Sequence, residues 1–169
     1  MSKSAALNGL HAKYTMLDLT NTAVHEAGHF LVAKHFGLSA TIRLWRVEGN
    51  PEQQRLIWGQ CAFDKTTPFR KSCIGWGGHV SDILRGIKDD ITVQDLADEA
   101  LHSWDEDDAS ESDSESINSH PQRRRAVKLA ATVLLANRNE VQNILNSAIN
   151  ALHVSGETDF QIDTPGTNP

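Results

Sequence analysis

The stretch Thr20-Asn21-Thr22-Ala23-Val24-His25-Glu26-Ala27-Gly28-His29-Phe30-Leu31-Val32-Ala33-Lys34-His35-Phe36-Gly37 decides how the rest of the chain is read. Thr20 or Asn21 can cap a helix, Val24, Ala27 and Leu31 fall on one side of it, and Gly37 is the residue type that commonly ends one. Inside it, His25-Glu26-Ala27-Gly28-His29 is an HExxH pattern. Four residues turn a helix by about 400°, so both imidazoles leave the same face about 6 Å apart. That spacing suits two ligands of a tetrahedral zinc ion with bonds of about 2.0–2.1 Å. Glu26, one residue on, points beside the metal position, where it can take a proton from an attacking water. Gly28 costs about 1 kcal/mol against alanine within a helix, so a packing or close-approach constraint is expected to hold it there.

Two histidines leave one protein ligand to find. His35 stands at the third-ligand spacing of HExxHxxGxxH, but that pattern needs a glycine where this chain has Val32. Its downstream methionine turn is also impossible, since the only methionines are Met1 and Met16. His35 therefore reads as a solvated histidine near the negative end of the helix dipole. Glu48 and Glu52 flank Gly49-Asn50-Pro51, which is turn chemistry rather than a ligand-bearing helix. The third option is an aspartate further on in the chain, since zinc accepts a carboxylate oxygen beside two imidazoles.

Outward from the motif, Ala40 to Val47 alternates and is rich in β-formers, and Leu56 to Phe63 reads as its returning strand. A helix is expected over about Gly77–Leu84 and another over Asp89–Trp104. Gln122–His153 shows apolar residues every seven positions (Val127, Leu134, Val141, Ala148), divided at Asn137-Arg138-Asn139. The fold expected is mainly α, one domain over residues 1–169, with a small β-hairpin or sheet beside the HExxH helix. Residues 1–15 read as a flexible arm and 160–169 as a flexible tail.

Charge narrows the function classes. The 169 residues carry 16 basic and 22 acidic side chains, a net charge of −6. Asp105–Ser116 (DEDDASESDSES) holds seven of the carboxylates, and without it 15 acids face 16 bases. A nearly neutral body with one acidic segment lacks the clustered positive footprint that nucleic acid demands. Residues 105–119 are expected to be a disordered acidic linker, too polar to offset its ordering entropy. No apolar run approaches the roughly 18 residues of a membrane span, and the N-terminus lacks the apolar centre of a secretory signal. Cys61 and Cys73 make neither a disulfide framework nor a thiolate metal motif. A cytoplasmic protein without a membrane partner is the expectation.

HEAGHFLVAKHFG resembles the active-site helix of the FtsH family of zinc peptidases. Gly77-Gly78-His79-Val80-Ser81-Asp82-Ile83-Leu84 is similar to that family's GGRAAEEL segment, with His79 in place of its arginine. Thr92-Val93-Gln94-Asp95-Leu96-Ala97 resembles the segment ending in Asn-Asp-Leu, whose aspartate is the family's third zinc ligand. Ala136-Asn137-Arg138 and Gly156-Glu157-Thr158 echo the end of the peptidase domain.

The resemblance implies an FtsH-peptidase-like helical domain that binds one zinc ion through His25, His29 and Asp95, with Asp98, Glu99 or Asp82 as the alternative third ligand and Glu26 as general base. It puts His79 and Asp82 behind the ligands or against substrate. No GxxxxGK[ST] pattern occurs, so the expected activity is ATP-independent hydrolysis of peptides or unfolded polypeptides, with an ATPase partner acting in trans or a homo-oligomer as further expectations. The strand beside the zinc helix suggests a substrate-binding edge at Thr41, Ile42, Arg43 and Leu44. The alternative is a degenerate domain of this kind that serves as a protein-binding module.

Overall fold

The computed structural model describes residues 3–47, 56–88, 90–105 and 109–164, with residues 3–14 described by their backbone. Among the described residues there are six α-helices and one three-stranded antiparallel sheet. The HExxH motif lies in α1 (Lys3–His35). Its backbone is helical from Lys3, so the segment expected as a loose arm continues the helix. The expected stop does hold. Gly37 takes a φ of +70°, and Leu38 N–H and Gly37 N–H donate to the carbonyls of Ala33 and Lys34, closing the last turn.

α1 is buried through Leu19, Ala23, Val24, Ala27, Phe30 and Leu31. On one side it packs against α2 (Pro68–Gly86). That crossing is unusually close. A Cβ at Gly28 would stand 2.1 Å from the Gly77 carbonyl oxygen, and one at Gly77 would stand 2.5 Å from that of Gly28. Two glycines therefore let the backbones touch, which accounts for Gly28 inside a helix despite its propensity cost.

β1 (Ala40–Arg46) and β2 (Ile57–Phe63) form the expected hairpin, paired from Ala40↔Phe63 to Arg46↔Ile57. The turn Gly49-Asn50-Pro51, with Glu48 and Glu52, lies outside the described residues. Ile42, Leu44 and Ile57 point into the core, while Arg43 and Arg46 stay exposed. Asp18 of α1 accepts hydrogen bonds from the backbone N–H groups of Leu56 and Ile57, tying the start of β2 to the helix.

The sheet differs from the hairpin at its other side. β3 (Asp159–Asp163), within the segment expected as a tail, pairs antiparallel with β1, so the strand order is β2-β1-β3. Phe160 and Ile162 pack against the core, which supplies the apolar area that holds this strand. β1 is consequently the central strand. Thr41, Ile42, Arg43 and Leu44 have their backbone edges paired on both sides and cannot receive an added substrate strand.

α3 (Val93–Ser103), α5 (Arg123–Ala136) and α6 (Arg138–Ile149) complete the layer behind α1 and α2, with a π-helical turn at Asn150–Val154. The largest departure is α4 (Glu111–Ile117), built from the acidic segment expected to be a linker. Residues 106–108 of that segment lie outside the described residues. Ser110 caps α4 by accepting from the Asp113 N–H. Ile117 is fully buried, Ser72 Oγ donates to its carbonyl, and Lys71 pairs with Glu115 at 2.6 Å. One apolar side chain and a few directed polar contacts are enough to dock the segment on α2.

Candidate metal centre

His25, Glu26 and His29 occupy one turn of α1, on the side that faces α2 and α4. The two imidazoles meet through their Nε2 atoms, 3.1 Å apart, with rings nearly perpendicular at 82°. Their other nitrogens are engaged. His29 Nδ1 lies 2.7 Å from the Ile74 carbonyl oxygen, which can only accept, so Nδ1 carries a proton. His25 Nδ1 lies 2.7 Å from Asp82 Oδ2. With both Nδ1 atoms donating, the Nε2 atoms face one another, an arrangement that a proton on one ring or a metal ion between the two would satisfy.

A carboxylate completes the group. Asp113, in the first turn of α4, places Oδ2 3.3 Å from His25 Nε2 and Oδ1 3.2 Å from His29 Nε2. Among the described residues, His25, His29 and Asp113 are the group whose ligand atoms converge closely enough to hold a metal ion. The two Nε2 atoms are 3.1 Å apart and each stands 3.2–3.3 Å from a different oxygen of Asp113, close enough for a metal ion to be held among the three side chains. The α2 wall leaves room for it. A Cβ at Gly78 would stand 2.6 Å from both Nε2 atoms, inside contact distance, so only glycine keeps this space clear.

Without a metal, the group shares charge. Burial disfavours the charged form of His25, but the carboxylates of Asp113 and Asp82 outweigh it and raise its pKa to about 10. Asp113 is shifted the opposite way. Its burial would raise the pKa, yet hydrogen bonds from His25 and His29 hold it well below the usual carboxylate range. The opposed shifts are two sides of one pairing, in which each group favours the charged form of the other.

Of the residues proposed from sequence, His25, Glu26, His29 and Asp82 are brought together. Asp82 sits behind His25 as a hydrogen-bond partner of the kind that fixes ligand orientation. Asp95 is not brought to the histidines. It lies exposed in the first turn of α3, where its carboxylate accepts from Thr92 Oγ1 at 2.7 Å and its N–H donates back to the same oxygen at 3.1 Å. That reciprocal cap holds it at the helix start, and Asp98 and Glu99 are likewise exposed on α3. His79 is half-buried, with Nε2 within 3.2 Å of the Ala100 carbonyl and of Ser103 Oγ, and burial pushes its pKa down. His35 is exposed at the end of α1, as its reading required.

Sequence reasoning missed Asp113. The available signal was Ser110-Glu111-Ser112-Asp113, a helix-start pattern of a capping serine with an acid three residues on, followed by the lone apolar Ile117.

Glu26 is 8% exposed and opens onto a cavity of about 260 Å³ between β2 and α4. Trp58, Gly59, Gln60, Cys61 and Phe63 of β2 form one wall, and Ser112, Asp113 and Ser116 of α4 the other. Among the described residues β2 pairs with β1 alone, so β2 rather than β1 is the edge strand beside the HExxH turn. No helix among the described residues is long and apolar enough to cross a membrane. Compared with protein-family models and with curated proteins, the chain matches none.

Proposed function

We propose that this chain is a zinc-dependent metallopeptidase of FtsH-like type that hydrolyses peptide bonds in extended polypeptides. The observation that carries the reading is the convergence of His25 Nε2, His29 Nε2 and the Asp113 carboxylate, with Glu26 one residue from His25. His25, His29 and Asp113 would hold the ion, Asp113 taking the place that the family resemblance gave to Asp95. Zinc, when bound, supplies a Lewis acid that acidifies water and polarises a carbonyl.

The chain's own residues do the rest. Asp82 and the Ile74 carbonyl fix the tautomers of His25 and His29, so that both Nε2 atoms stay available. Glu26 takes the proton of the attacking water and returns it to the departing amine. An extended substrate lies between β2 and α4, its backbone bonding to the edge of β2. Such a cleft admits peptides, unfolded chains and flexible tails. Folded substrates would need an unfolding ATPase in trans.

Measurement of bound zinc and of casein hydrolysis for wild type and Glu26→Gln tests the reading. Zinc in both, with hydrolysis only in wild type, supports it. Zinc without hydrolysis in wild type would favour a binding module, and absence of stoichiometric zinc would remove the metal centre.

A further inference from the structure

Val24 and Ser81 each stand one residue before the paired His25 and Asp82, and with the start of α6 they line a cavity of about 110 Å³. It shares no lining residue with the cleft over Glu26. Its volume is well above the roughly 10–15 Å³ that a single water needs and well below the roughly 300 Å³ at which sites for larger ligands begin. A molecule of a few heavy atoms is the size it admits.

The charge around it points to an anion. Arg85, in the last turn of α2, and Arg138, the first residue of α6, line the cavity, and no aspartate or glutamate does. Arg85 donates from Nη1 to the side-chain oxygen of Asn21, and Arg138 from Nη2 to the Leu84 and Ile87 carbonyls at the end of α2. Those acceptors are uncharged, and among the described residues no carboxylate pairs with either guanidinium. The end of α2 offers only about half a negative charge against two full positive ones. Each guanidinium has five N–H groups, so these bonds occupy a minority of its donors.

A second, independent observation lies deeper. Ser81 is 1% exposed, and its hydroxyl has no hydrogen-bond partner among the described residues. Buried hydroxyls are costly to leave unpaired, and one that borders a cavity is satisfied when a ligand brings an oxygen to it. Val24, Leu84 and Val141 add apolar wall. Both arginines are exposed and Ser81 is buried, so charge stands at the mouth and a lone hydroxyl further in.

We propose that this cavity binds a short carboxylic acid that carries a second oxygen on its chain. The carboxylate lies between Arg85 and Arg138, the chain against Val24, Leu84 and Val141, and the second oxygen bonds the Ser81 hydroxyl. Phosphate would meet the same arginines but match neither the apolar wall nor the depth of Ser81. Nothing in this proposal depends on the peptidase reading.

Isothermal titration of the full chain with sodium 3-hydroxybutyrate, sodium butyrate and inorganic phosphate, at fixed ionic strength, tests it. The hydroxy acid is expected to bind about fivefold tighter than butyrate, the worth of one neutral hydrogen bond, and at least about fivefold tighter than phosphate. Ser81→Ala should bring the two acids to equal affinity, and Arg85→Gln should weaken both by about tenfold or more. Arg124→Gln, exposed on α5 and outside the cavity, should change neither. The titrations are repeated after dialysis against a chelator, and unchanged affinity is expected, since an acid held at the metal centre would be lost with the ion. Absence of saturable binding, binding that disappears with the metal, phosphate bound as tightly as the hydroxy acid, or affinity that Arg85→Gln leaves intact overturns the proposal. A difference between the two acids that survives Ser81→Ala overturns it as well.

Discussion

Asp82 of α2 accepts a 2.7 Å hydrogen bond from Nδ1 of His25, fifty-seven residues earlier in the chain. It thereby directs the ring's other nitrogen at His29 and Asp113. Outer-shell partners of this kind typically change metal affinity by about 10–100-fold when removed. Asp82→Asn is therefore expected to weaken zinc binding by about that factor, with the helical circular dichroism retained. Competition against a chelator measures it. Unchanged affinity would show that the His25 orientation is fixed by packing alone.

The choice between two aspartates is open to direct test. Asp113 converges with the histidine pair, whereas Asp95 caps the start of α3. Asp113→Ala is expected to lose stoichiometric zinc. Asp95→Ala is expected to keep it and to cost no more than about 1 kcal/mol, the scale of a helix-start contact. Metal content after dialysis and urea melts separate the two outcomes, and the reverse pattern would return the ligand role to Asp95.

The site also sets a pH dependence. His25 is raised from 6.5 to about 10 in the metal-free chain, burial being outweighed by Asp113 and Asp82. Its proton must leave before zinc can take the nitrogen, so zinc affinity is expected to rise by about tenfold per pH unit across the neutral range. Metal-free stability runs the other way. A raised folded pKa gives stabilisation that is fully present below about 6.5 and is lost as pH rises through about 10. Thermal melts of metal-stripped wild type and His25→Gln at several pH values read this loss, which the variant should lack. A zinc affinity independent of pH would contradict the proton displacement.

Much of the fold was legible because periodicity reports burial locally. The α1 stop at Gly37, the β1–β2 hairpin and the division of α5 from α6 near Asn137 each follow from residues close together in sequence. Within the site, the His25–Glu26–His29 turn was legible for the same reason. The third carboxylate was not, because its position depends on the dock of α4 onto α2, made through contacts such as those of Ile117, Ser72 and Lys71. Composition averages over Asp105–Ser116 and so hides the single buried side chain at its end. β3 was missed in a similar way. Its five residues are held by pairing to β1, more than a hundred positions earlier, and no local signal carries that partner.

Gly59 of β2 controls where Glu26 can stand. A Cβ at this position would lie 2.8 Å from Glu26 Cγ, 2.5 Å from Thr22 Cγ2 and 2.9 Å from Leu44 Cδ2. Thr22 and Leu44 are buried and have little freedom to yield, while Glu26 borders the cleft and can be pushed into it. Gly59→Ala alone therefore mixes a packing cost with a displacement of the general base. Adding Thr22→Ser removes the methyl that meets the new Cβ most closely and keeps a hydroxyl able to reach the Ile57 carbonyl. The double variant is expected to fold and to bind zinc like wild type, because His25, His29 and Asp113 are untouched. Its hydrolysis of casein should fall by about tenfold or more, since a shift of about 1 Å in a reacting group can cost about a hundredfold. The acid limb of its pH–rate profile should move as well, because that limb reports the ionisation of the base and Glu26 would sit in a different environment. Wild-type hydrolysis with an unmoved profile in a folded, zinc-loaded double variant would show that Glu26 tolerates the displacement and that Gly59 serves only the packing of β2 on α1.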